Sequence, residues 1–422
     1  MLKYNYTRTL KSNYHRRSSE IKIHKTYLYK FSTLTTPIQG NSGSPSNKQK
    51  FNVLFFGNDE ISLPTAAKIY ENSFSDDTLI NSLGIVTTPV KNKKSTQSIF
   101  HRFIDDKRIQ KYELDISSKD SLKTSWRDLK DWIRQHQFNI GVIASFGKMI
   151  PGSVITSLKY GSYVMHPSLL PKYRGAAPIQ HCLLAEESKT GISIVEASIG
   201  KFDAGDILCQ KEIDIERFHR FKELSLILSH LGATSVLEFF DNFEQNKKNK
   251  ISQNESSVTQ AKLILDNNYV YLDFVNQSAR SVINLYRAFF GSQLEPFTKA
   301  VIDGKERLIF FENLVVVTET SSVYKLHLSK LESYAKPGVI YWNLKEDRNN
   351  IYIKTKENWL VTNKIKLDGT TYLPGETAII KIFKNKVFQD KKQTEFSIVT
   401  SHNKNKIIQI NEHKEEITNL KI

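Results

Sequence analysis

The sequence predicts an α/β protein with a largely parallel sheet, followed by a smaller all-β part. Three observations predict it. Phe51–Phe56 is an apolar run closed by Gly57, the pattern of a buried parallel strand. Residues 83–88 and 139–145 repeat that pattern, and between them residues 118–135 carry Leu122, Trp126, Leu129 and Ile133 at helical spacing. Beyond the helical stretch 276–290 the apolar runs become short and are separated by polar turns, which suits a small barrel.

The elements follow in order. A helix from Pro64 to Tyr70 succeeds the first strand, and its turn, Gly57-Asn58-Asp59, lacks the G-x-G-x-x-G spacing of dinucleotide sites. Residues 83–88 give a second strand, 110–114 a third and 139–145 a fourth. Ser162, Val164 and His166 share one face of a further strand, which Pro167 stops by removing a backbone donor. Pro178 suits the first turn of a helix turning Ile179, Leu183 and Leu184 inward, with Gly191 as its stop. A strand over 207–213 and a helix over 221–240 follow. In the second part, Val282, Leu285, Tyr286 and Phe289 face inward from a helix that Gly291 ends. Strands are expected at 308–318, 323–328, 339–342, 351–353 and 378–383.

Composition narrows the function. A chain of 422 residues accommodates two domains and a tail. The formal net charge of +16 favours a polyanionic partner. No apolar run reaches the length of a membrane span, so no membrane association is expected. Two cysteines, Cys182 and Cys209, make no disulfide framework, and the absence of C-x-x-C and H-E-x-x-H motifs assigns no metal. Residues 1–45 set eight Lys and Arg among Ser, Thr and Tyr, with Glu20 as the one acid, as a mitochondrial presequence and flexible link would.

The stretch from His166 to Asp206 organises the rest. It reads HPSLLPKYRGAAPIQ, then a short helix, then GISIVEASIGKFDAGD. A histidine at a strand's carboxyl end and an aspartate in a tight turn form a general acid/base pair if the fold brings them together. Taken singly, the histidine is better explained by structure and the aspartate by turn chemistry.

This stretch resembles the signature of the folate-dependent formyltransferases, and GAAPIQ is the version found in the branch that formylates methionyl-tRNA. The resemblance implies a Rossmann-like formyltransferase domain over 50–243, a linker over 244–259 and a C-terminal OB-like β-barrel, tRNA-binding domain over 260–422. It implies transfer of the formyl group of 10-formyltetrahydrofolate to initiator methionyl-tRNA in the mitochondrial matrix. His166 would handle protons or the oxyanion, with Asp203 orienting it. Ser168, Leu169, Leu170 and Pro171 would shape the folate site, and the loop 146–151 would line the pterin pocket. Lys91, Lys93 and Lys94 would approach the tRNA acceptor end, and Lys384, Lys386, Lys391, Lys392, Lys404 and Lys406 of the second domain would either contact tRNA phosphates or be solvated surface cations. Lys172 and Arg174 would attract the polyglutamate tail or the tRNA, or read more simply as solvated surface cations. Nothing fixes the oligomeric state, and a monomer is the expectation.

One departure stands out. The family has Asn two residues before the histidine, and here that position is Val164. Valine donates no hydrogen bond. This keeps open a catalytically impaired tRNA- or RNA-binding relative; a formyltransferase acting on a small-molecule amine is the other alternative, against which GAAPIQ and the second domain argue.

Overall fold

β1 (Phe51–Phe56) lies inside a seven-stranded sheet because it is apolar on both faces. Phe51, Val53 and Phe55 enter one buried cluster and Leu54 and Phe56 the other, so alternate residues feed opposite layers. In this computed structural model the described residues are 50–75, 78–89, 98–302, 305–332, 335–343, 347–382 and 396–397. The basic segment 1–45, Lys91, Lys93, Lys94 and the lysines beyond residue 383 lie outside them.

The order after β1 is α1 (Leu63–Asn72), β2 (Ile80–Thr87), α2 (Ile99–Asp106), β3 (Gln110–Glu113), α3 (Lys119–Gln135) and β4 (Ile140–Ile143). Then come α4 (Gly152–Ile155), β5 (Ser162–His166), α5 (Pro178–Leu184), β6 (Lys189–Glu196), β7 (Ile207–Asp214), α6 (Phe221–Asp241) and α7 (Phe243–Lys248). The spatial order is β3-β2-β1-β4-β5-β6-β7, with β3 through β5 parallel and β6 and β7 added antiparallel. The strand order reverses between β1 and β4, the crevice where open α/β sheets take their ligands.

The expected α3 stripe is buried through Trp126, Leu129 and Ile133, and Ser118 caps the helix by accepting from the Ser121 amide. The short helix α2 escaped the sequence reading; Ser98 caps it in the same way. Gly191 does not end α5, which stops at Leu184, with Glu186 in the left-handed region at φ +55°. Gly191 lies instead within β6, where an added Cβ would sit 2.0 Å from the Lys211 carbonyl oxygen. Glycine is there for close strand approach.

The second part begins with α8 (Ala279–Phe289), whose Val282, Leu285, Tyr286 and Phe289 join the cluster that holds Ile179, Cys182 and Leu183 of α5. The core is therefore continuous from the first sheet into this part. Two antiparallel sheets follow. One has the order β10 (Val315–Val316), β13 (Trp359–Thr362), β12 (Asp347–Lys354), β11 (Val339–Asn343), β16 (Phe396–Ser397). The other runs β15 (Leu373–Pro374), β14 (Lys364–Leu367), β9 (Lys305–Glu312), β8 (Phe297–Ile302). The sequence implies a small barrel; among the described residues the strands make a β domain of two antiparallel sheets.

Two expected strands are helical. Tyr324–Leu328 is a π-helical turn continued by Ser329–Leu331. Leu326 and Leu328 alternate as in a strand, but Leu328 and Leu331 are the buried pair and Leu326 is exposed, a helical spacing. Gly375–Ile382 is a helix, α9, despite its β-branched pair. Pro374 immediately before it and Glu376 in its first turn favour a helix start.

Candidate active site

His166 is the last residue of β5 and pairs with Ser193 of β6. Past Pro167 the chain leaves the sheet but stays bound to it. Ser193 Oγ donates to the Ser168 carbonyl at 2.6 Å and accepts from the Leu170 amide at 3.0 Å. Gln210 Nε2, from β7, donates to the Leu170 carbonyl at 2.9 Å. Ser168 and Leu170 are buried, and Ser168 Oγ donates to the Lys172 carbonyl at 2.8 Å. Of the four residues expected at the folate, Leu169 and Pro171 are half-buried, and Ser168 and Leu170 point inward as anchors of the loop.

The structure brings His166 and Asp203 together. Nδ1 of the buried imidazole lies 3.5 Å from Asp203 Oδ1. Nε2 lies 2.8 Å from the Tyr173 carbonyl oxygen. Both ring nitrogens thus face acceptors, and a neutral imidazole, with one N–H, serves only one of them. Asp203 Oδ2 accepts from the Gly175 amide at 3.0 Å. The backbone around the pair is unusual: Tyr173, Asp203 and Gly175 have φ of +64°, +55° and +121°. Left-handed residues of this kind persist where surrounding contacts over-determine them.

Those contacts can be named. Tyr173 donates from its amide to Thr259 Oγ1 at 2.8 Å and from its hydroxyl to Glu187 at 2.7 Å. The Tyr173 bond, and then Lys172, hold the Glu187 carboxyl below its usual range. Burial, and then Glu187, push the Tyr173 phenol up. Arg174, expected as a solvated cation, is 6% exposed. Its Nε donates to Gln253 Oε1 at 2.9 Å and its terminal nitrogens to Glu255 at 2.9 and 3.3 Å, because a desolvated guanidinium requires such partners. Lys172 is exposed and pairs with Glu187 at 3.0 Å.

The turns at the carboxyl ends of β1, β2 and β4 are laced to one another. Asn58 Oδ1 accepts from Thr87 Oγ1 at 3.0 Å and the Thr88 amide at 2.8 Å, and its Nδ2 donates to the Phe146 carbonyl. Asp59 accepts from Ser145 Oγ, fixing the start of the 146–151 loop. Sequence reasoning missed this lacing, together with Gln253 and Thr259; no local pattern marks residues whose partners lie tens of positions away.

Val164 sits between Ile143 of β4 and Val195 of β6 and brings no donor. Ser162 shares its face but lies four residues before His166, roughly 13 Å along an extended strand. A Cβ on Gly141 would lie 2.5 Å from the Ser162 hydroxyl oxygen, so Ser162 serves the far end of the strand. Among the described residues no cluster of three His, Cys, Asp or Glu could hold a metal, and Cys182 and Cys209 are unpaired thiols. An open cavity of 440 Å³ lined by Val315, Val317, Tyr352 and Val361 belongs to the five-stranded sheet and does not include the His166 site.

This fold, with a His–Asp pair at the carboxyl edge of its sheet, is that of a formyltransferase: the family model described as Formyl transferase matches residues 85–231. The methionyl-tRNA formyltransferase of Thermotoga neapolitana is 32% identical over 290 residues, covering 69% of this chain and 84% of that one. The mitochondrial enzyme of that name from Bos taurus is 27% identical over 335 residues, covering 78% of each chain. Its Homo sapiens counterpart is 28% identical over 244 residues, covering 57% of each. HypX from Aquifex aeolicus in complex with tetrahydrofolic acid shares the fold, with a TM-score of 0.51 and 15% identity over 80% of this chain and 48% of that one. The chain belongs to the methionyl-tRNA formyltransferase family and is a formyl-transferring enzyme.

Proposed function

We propose that this enzyme transfers the formyl group of 10-formyltetrahydrofolate to the amino group of initiator methionyl-tRNA in mitochondria, with His166 and Asp203 as its catalytic pair. The observation that carries the reading is the buried His166–Asp203 contact at the carboxyl end of β5, in a chain of this family. The neutral amine attacks the formyl carbon, a C–N bond forms, and negative charge collects on the formyl oxygen. The amine must then lose a proton, and the bond to the donor nitrogen breaks. His166 handles that charge and proton. Asp203 fixes the ring at Nδ1, as the Tyr173 carbonyl does from the other side. The loop 168–171, tied to Ser193 and Gln210, gives the folate a rigid wall.

The remaining assignments belong to the same proposal. Residues 50–243 form the catalytic domain, 244–259 a linker and 260–422 an OB-like tRNA-binding domain. Lys91, Lys93 and Lys94 approach the acceptor end. Residues 1–45 direct import to the matrix, which the mitochondrial relatives support. Val164 favours a second reading, an enzyme slowed by a missing oxyanion donor, since one such donor is worth about 10²–10³ in rate.

The test supplies labelled 10-formyltetrahydrofolate with charged initiator tRNA. Label on the aminoacyl-tRNA at repeated turnover is expected. Label found only on small-molecule amines would overturn the tRNA assignment, and tRNA binding without label would select the impaired reading.

A further inference from the structure

We infer that Gln253 is a positioning residue for formyl transfer: its side-chain amide ties together the two backbone arms that hold His166 and Asp203. The inference rests on the reading of that pair as catalytic. Gln253 follows Asp203 by fifty residues in the chain and is half-buried beside it. Its Nε2 donates to the Asp203 carbonyl at 2.8 Å and to the Gly205 carbonyl at 2.7 Å. Both protons of one amide thus close the turn in which Asp203 holds its left-handed φ of +55°. The Oε1 of the same side chain accepts from Arg174 Nε at 2.9 Å.

Arg174 lies between the two residues that touch the pair from the other side. Tyr173 presents its carbonyl to His166 Nε2, and Gly175 donates its amide to Asp203 Oδ2. Gln253 therefore spans from the arm carrying the carboxylate to the arm carrying its two counter-contacts. The chain around it is clipped to the same loop. Arg174 donates from its amide to the Thr259 carbonyl at 2.9 Å, and the Ala261 amide donates to the Arg174 carbonyl at 2.7 Å. Gln253 contacts neither His166 nor the Asp203 carboxylate in this arrangement. Its effect passes through the backbone.

Two substitutions separate positioning from bulk stability. Gln253→Glu preserves length and the acceptor for Arg174 but faces both carbonyls with oxygens. Gln253→Met preserves volume and removes every polar contact. Each is expected to lower kcat by about 10–100-fold, the scale of an ångström-level misplacement, with KM for both substrates within about twofold of wild type. kcat is taken per folded molecule, the folded fraction coming from near-ultraviolet circular dichroism. A double-mutant cycle supplies the readout that a structural role would not move. In an Asp203→Ala background, Gln253→Met should lower kcat by less than about twofold, because its target is already gone. Glu255→Gln, which touches only the Arg174 end, should leave kcat within about twofold.

A Gln253→Met enzyme with wild-type kcat, a loss confined to KM, or a full additional loss in the Asp203→Ala background would overturn the inference. His166→Ala is run in parallel. Wild-type turnover in that variant would sink the catalytic reading and this inference with it. A dead His166→Ala beside active Gln253 variants would sink this inference alone.

Discussion

Replacing Gly175 by alanine perturbs the site through a single methyl group, and the structure sets the size of the effect. Gly175 has φ of +121°, a conformation L-residues rarely adopt. Strain of that kind costs on the order of 1–3 kcal/mol. The new Cβ would also lie 2.7 Å from the Ala261 carbonyl oxygen. That carbonyl cannot swing away freely, because it accepts from the Ala177 amide at 3.1 Å while the Ala261 amide donates to Arg174. Relief requires Gly175 to move, and its amide then leaves Asp203 Oδ2. A hydrogen bond to a charged group contributes about 1.5–3 kcal/mol, so the total is about 2.5–6 kcal/mol. Urea unfolding and steady-state formyl transfer are the assays. Gly175→Ala should lower the unfolding free energy by this amount, seen as a lower urea midpoint at unchanged m, and lower kcat at least tenfold, since the Asp203 carboxylate loses its amide donor. Gly369→Ala is the control: φ is +73° but nothing lies within 4 Å of the added Cβ. It should cost about 1–2 kcal/mol with kcat unchanged. If both variants have the same midpoint and the same kcat, the reasoning about the Gly175–Ala261 contact is wrong.

Three further outcomes follow from the same structure. Val164→Asn should raise kcat if the missing amide limits the rate, by up to about 10²–10³; an unchanged kcat in a folded variant means another group already serves the oxyanion. Stability should fall as pH drops below about 6.5, the unperturbed histidine value, partly through His219. Burial lowers the His219 pKa against the opposing influence of Glu216 and Glu223, and its Nδ1 accepts from the Glu216 amide at 3.1 Å. The folded state therefore binds the proton less readily than the unfolded chain, and a His219→Gln variant should lose less stability between pH 7 and pH 5 than wild type. Finally, tRNA affinity should fall steeply with salt, and each of Lys91, Lys93 and Lys94 changed to Ala should flatten the log–log slope by about 0.7–0.9; a slope indifferent to these changes removes them from the interface.

The first sheet was legible because its signals are local. Phe51–Phe56, the α3 stripe and the break at Pro167 each depend on neighbours within a few positions. The motif also named the pair that the fold unites, although spacing alone favours structural roles for His166 and Asp203. What stayed hidden depends on distant partners. Arg174 reads as a surface cation until Gln253 and Glu255 fold against it. Gln253 lies in a polar run that reads as a linker, and nothing near it in sequence announces the carbonyls it serves. The helices Tyr324–Leu328 and Gly375–Ile382 read as strands in sequence because alternating or β-branched apolar residues mimic strands when the buried face is unknown.

In the proposed reaction a buried imidazole, held by an aspartate and a backbone carbonyl, carries the proton and charge of formyl transfer. Single-turnover formylation of methionyl-tRNA by His166→Ala, with tRNA binding and fold checked in the same preparation, measures it most directly. A rate about 10²–10⁴-fold below wild type with binding intact is the predicted result. Formylation within a few-fold of the wild-type rate would contradict it.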